Sequence, residues 1–232
     1  MMKKVILFLV MSLLLTLPAF ANAASKTVVQ VTGSSQKEVT PDIARINLGI
    51  NAINSDLEKA KAENTRTVNR VLAALQAEGI TDEQLNTGTY QISPLYNYEN
   101  DRLPVLKGYR VTEGLDIRTS VDKVGILVNA LTKAGANEIN SIRFETANET
   151  EVKNEALQEA VRDALRKAEV LAAALNKRVA NVTMINESGV FYNPVMLESR
   201  LLKSASMDGA APNIPAGKVT VGANVQVTVE LE

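Results

Sequence analysis

The 232-residue chain contains no Cys, His or Trp. That removes thiolate peroxidases, disulfide exchange, nucleophiles served by histidine, His-ligated haem, and ordinary zinc or copper sites. What remains with chemical potential is carboxylate, phenol, amine, guanidinium and thioether. Glu151, Glu155 and Glu159 share one helical face, the best row of carboxylates for a hard cation. Arg162, Arg166 and Lys167 follow one to two turns on, the pattern of a solvated face with helix ion pairs. Asp42, Tyr90 and Tyr109 are the set from which a ligand-binding or catalytic site could be built, although turn and core packing accounts for them more simply. Met184, Met196 and Met207 offer thioethers, Met184 at an inward strand position and the others in a long aperiodic segment. As oxidant sinks, three are too few for a dedicated scavenger. The residue types nominate no catalytic residue, no cofactor and no metal.

The elements that must position these groups begin after a leader. Lys3 and Lys4 precede a 13-residue apolar run, 5–17, and Ala21-Asn22-Ala23 supplies the small residues of a peptidase site. Residues 1–23 read as a cleaved signal peptide, too short in its apolar part to span a bilayer comfortably. No Cys follows to carry a lipid, and no later stretch would anchor the mature chain, 24–232, in a membrane. With 25 Lys+Arg against 26 Asp+Glu, and two lysines lost with the leader, bulk charge offers nothing to nucleic acid. The expected location is the periplasm, or outside the cell where there is a single membrane.

Within 42–52, Ala44, Ile46, Leu48, Ile50 and Ala52 alternate with polar residues, the mark of a strand with one buried face. Ser55 and Glu58 suggest a capping box opening a helix through Leu57, Asn64, Val68, Val71, Leu72 and Leu75, which Gly79 stops. Strands follow at 87–96 and 107–118, then a short helix capped by Asp122 and a strand at 137–146. The longest helix, near 149–175, shows a stripe of Leu157, Val161, Ala164, Leu165, Ala168, Leu171, Ala172 and Leu175. Strands at 179–186 and 219–231 complete an α+β chain of about seven mostly antiparallel strands in sheets packed by three helices. Residues 187–218 keep no period and read as a long loop whose first half is too apolar to be plain disorder.

Four stretches, taken in order, carry a resemblance. They are Val31-Thr32-Gly33 leading through Thr40-Pro41-Asp42 to Leu48-Gly49-Ile50; Thr87, Tyr90, Ile92, Pro94 and Tyr96 with Gly108-Tyr109; Gly135-Ala136 through Ile139 and Ile142 to Phe144 and the Ala-rich helix; and Ile214-Pro215-Ala216-Gly217 before the last strand. Together they cover nearly the whole mature chain, which resembles the SIMPL-domain family of YggE-like oxidative-stress defence and periplasmic immunogenic proteins. One departure is Asn176 at the end of the long helix, where the resemblance leads to an expected glycine.

The resemblance implies an exported α+β protein of the cell envelope, linked to oxidative-stress resistance, with some members forming large rings or channels. It supplies no catalytic residue. Self-assembly finds independent support in the nearly uncharged outer face of the last strand, Thr220, Gly222, Asn224, Gln226 and Thr228. Apolar side chains with no evident place in the core add to it: Phe191, Tyr192, Met196, Leu197 and Leu201 are the expected contacts with another subunit. The leading expectation is therefore a non-enzymatic homo-oligomer acting indirectly in stress defence. Another envelope protein as partner is not separable from it on sequence, and the alternative is a small-ligand binder or enzyme using carboxylates and tyrosines.

Overall fold

A computed structural model describes residues 26–98, 103–198 and 214–232. Among them lie eight strands and three α-helices. They run β1 (Thr27–Val39), β2 (Ile43–Asn54), α1 (Leu57–Ala77), β3 (Leu85–Asn97), β4 (Val105–Ser120), α2 (Val124–Ala134), β5 (Glu138–Glu145), α3 (Glu149–Ala174), β6 (Val179–Asn193), β7 (Val195–Glu198) and β8 (Val219–Leu231). All pairings are antiparallel. They build a three-stranded sheet, β1-β8-β6, and a five-stranded sheet, β3-β4-β2-β5-β7. The α+β expectation holds, and the expected signal peptide, 1–23, falls outside the described residues.

Each sheet has its own core. Ile46, Leu48, Ile50, Val111, Leu115, Ile117, Ile142 and Phe144 turn from the larger sheet under α1 and α2. The polar member of the α1 stripe has a job there: buried Asn64 donates its amide to the Ile50 carbonyl at 2.8 Å. In the smaller sheet, β8 buries Val219, Val221, Ala223, Val225, Val227, Val229 and Leu231, the alternation read from sequence.

Three local expectations are corrected. The N-cap of α1 is Asp56, not Ser55, with its carboxylate accepting from the Lys59 N–H; a charged acceptor there also meets the positive end of the helix. Asp122 sits in a 3₁₀ turn ahead of α2 and does not cap it. On α3 the buried stripe is Val152, Ala156, Ala160, Ala164, Ala168 and Ala172, while Leu157, Val161 and Leu165 are half-buried and Leu171 and Leu175 exposed. Gly33 explains the shift: a Cβ there would stand 2.0 Å from the Ala160 carbonyl oxygen and 2.6 Å from the Ala164 nitrogen. The helix backbone rests on that strand, so only methyl groups fit beneath it and the leucines splay aside. Asn176 adopts φ 53°, filling the left-handed position where the resemblance leads to an expected glycine.

The largest correction concerns 187–218. Its first part is regular strand, since β6 continues to Asn193 and β7 follows after Pro194. Two irregularities hid this from a period-2 reading. Register shifts leave Ala180, Thr183 and Ser188 as extra residues, so the helix-side positions run Val179, Val182, Ile185 and Glu187. Then the chain changes sheets at Pro194, and the inward positions pass from Val190 and Tyr192 to Val195 and Leu197.

Candidate functional surface along the edge strands

The expected interface residues divide by face. Tyr192 points inward opposite Val221, its hydroxyl accepting from the Thr146 N–H at 2.8 Å and its ring 5.4 Å from the Lys153 ammonium. Burial raises that phenol above its ordinary value, working against the Thr146 bond. Leu197 packs into the larger core opposite Ile142. Both therefore have the core positions that the sequence reading had denied them. Phe191 lies on the open face of the small sheet, its ring occupying the space a Gly222 side chain would fill. Met196 stands on the open face of the large sheet opposite Arg143, 47% exposed. Leu201 is outside the described residues. What unites the four described residues is their backbone: β6 is an edge of one sheet, β7 an edge of the other, joined through Pro194.

The residues of the alternative reading are not brought together. Asp42 precedes β2, where its carboxylate accepts from the Ala147 N–H at 2.8 Å. Tyr109 pairs with Asn54 at the far end of the same 12-residue strand, roughly 35–40 Å away at about 3.3 Å per residue. Tyr90 is exposed on β3 opposite Glu113. The three share no cleft. Glu151, Glu155 and Glu159 are exposed on α3, and Glu155 pairs with Lys37 of β1. Among the described residues no group of three or more His, Cys, Asp or Glu could hold a metal ion. Met184, read as inward, is 62% exposed on the open sheet face opposite Thr228. The bulge at Thr183 explains its turn outward.

Sequence reasoning missed Asp163. It lies on the flank of α3 over β1, accepting from the Ser34 backbone N–H at 3.0 Å and pairing with Lys167 at 2.6 Å. Lys167 in turn donates to the Thr32 carbonyl at 3.0 Å. Lys167 and then the Ser34 amide hold the Asp163 carboxyl below the usual aspartate value. Residues two apart on an antiparallel strand aim these groups the same way, so the pair closes the backbone edge of β1 on the side away from β8. The i, i+4 Asp-Lys spacing was visible in the sequence; its reach to a strand 130 residues earlier was not. Beside it, a hollow of about 550 Å³ lies open to solvent between β1 and α3, lined by Val31, Val170 and Leu171 with three charges, Asp163, Arg166 and Lys167.

Two end-joined antiparallel sheets with three helices, entered through a Val-Thr-Gly strand that lies under an alanine helix, define the class. This chain belongs to the SIMPL family, described as a protein of unknown function (DUF541), which matches it over residues 29–229. Among its relatives, the 26 kDa periplasmic immunogenic protein of Brucella melitensis is 29% identical over 229 residues, covering 94% of this chain and 91% of the relative. The uncharacterized protein YggE of Escherichia coli K12 is 24% identical over 205 residues, 88% of this chain and 83% of that one. Neither name carries a reaction. Among the described residues no helix is long and apolar enough to cross a membrane.

Proposed function

We propose that the chain is exported, loses residues 1–23, and works in the periplasm as a single 24–232 domain that assembles with copies of itself. The name of the Brucella relative supports the compartment. The observation that carries assembly is that Phe191, Tyr192, Met196 and Leu197 all lie on edge strands, β6 of one sheet and β7 of the other. The role is structural, with stress defence an indirect consequence of the assembly, as the family resemblance suggests. Asp42, Tyr90 and Tyr109, lying apart, give the small-ligand reading no site.

Deleting 191–202 would remove Tyr192 and Leu197 from the two cores, so the test is a substitution on the open face. Met196→Glu is expected to keep the melting temperature of the mature chain and lower its native mass by light scattering. An unchanged mass would remove Met196 from the interface. A wild-type chain that is monomeric at every concentration would end the assembly reading itself.

A further inference from the structure

The two sheets have four edges, and they are unequally protected. Unpaired strand edges invite another strand unless charge, proline, shortness or a covering group prevents it. On β1 the covering group is the Asp163-Lys167 pair, and Lys37 and Glu38 add charge farther along. β7 offers four residues. β3 is interrupted by Pro94, which has no N–H, and its register shifts at Gly88. Among the described residues β6 has none of these protections apart from its bulges. Its 15 residues contain no Lys, Arg or Pro and one charge, Glu187. Among the described residues no side chain bonds to its backbone, and its stretch from Asn181 to Gly189 is exposed on both faces. α3, held over β1 and β8 by Gly33, scarcely reaches it. Val182 and Ile185, on the helix side, consequently stand 36% and 54% exposed at its centre, and Met184 on the open face is 62% exposed.

We infer that β6 pairs antiparallel with β6 of a second copy across a two-fold axis at Ile185. This rests on the self-assembly reading and adds which backbone forms the seam. The occupant follows from the other edges: β1 is closed by its own helix, β7 is short and β3 carries proline, leaving β6 as the strand a second copy presents. Charge agrees. A two-fold axis at the Ile185 pair sets Glu187 opposite Thr183, so the two acids do not face each other. It also sets Ile185 against Ile185 of the other copy on the helix-side face, covering an apolar side chain that the subunit leaves bare. The three-stranded sheet becomes a continuous six-stranded one, and the interface is isologous, as a closed dimer requires.

The test is a charge swap at Ile185 in the mature chain, read by light scattering and circular dichroism. Ile185→Lys alone and Ile185→Glu alone are each expected to keep the native spectrum and lose the two-fold contact, halving the mass of the smallest assembled unit. Mixing the two is expected to restore it, because the seam then brings unlike charges together. Restoration also separates a lost contact from a misfolded chain. Single variants that keep wild-type mass would overturn the seam while leaving self-assembly standing. Loss without restoration on mixing would show a different strand, or a different protein, on β6 and overturn the two-fold pairing.

Discussion

The two edges of the three-stranded sheet are treated in opposite ways. On β1, α3 lies so close that Gly33 must lack a side chain, and from that position Asp163 and Lys167 reach the Ser34 amide and the Thr32 carbonyl. On β6, two strands away, the same helix gives little cover, and the helix-side Val182 and Ile185 face solvent. One helix placement therefore closes one edge and leaves the other open. Protection of an edge is here a matter of tertiary placement as much as of the strand's own composition.

The comparison breaks most severely at Gly33. Gly33→Ala puts a methyl into the α3 backbone, and the expected loss is about 3 kcal/mol or more, read by denaturant unfolding. Gly114→Ala, in the open larger sheet with Thr89 no nearer than 3.5 Å, is expected to cost far less. Similar losses at both would mean that the helix contact is not what sets β1 apart.

Opening the closed edge is the next largest change. Asp163→Ala leaves the Ser34 N–H unpaired and removes the partner of Lys167, an expected cost of about 1–2 kcal/mol with new high-mass species on gel filtration. The pH dependence has a definite sign. Because the Asp163 pKa is lowered from 3.8, its contribution is complete above that value and is lost as pH falls through the lower folded value. The variant should therefore show a shallower loss of stability in acid than wild type.

The smallest effect lies on the larger sheet. Glu113, on the helix-covered face between Ile50 and Tyr90, has its pKa raised from 4.5 by burial. Its ionisation costs stability as pH rises from 4.5 through the higher folded value. Glu113→Gln should raise the melting temperature slightly at pH 7 and leave it unchanged at pH 4. A gain that persists at pH 4 would have another cause.

Much of this fold could be read from the chain because β2 and β8 alternate without interruption and Gly79 and Gly135 stop their helices at positive φ. The second half of β6 and all of β7 were hidden because a bulge adds a residue and Pro194 changes which face is inward. The leucines of α3 misled for a different reason: helical period shows which side is apolar, but the depth to which it sinks was set by Gly33, 127 residues before Ala160. Phe191, Tyr192, Met196 and Leu197 were selected as apolar residues lacking a core, and the structure gives two of them one. That all four lie on edge strands emerged only from strand order.

The account turns on β6 being the open edge and β1 the closed one, which amide hydrogen exchange on the mature chain measures strand by strand. Raising the protein concentration should slow exchange in β6 around Met184 to Glu187 and leave Thr32 to Ser34 of β1 unchanged. Exchange in β6 that is equally fast at all concentrations, or protection that grows on β1 instead, would contradict it.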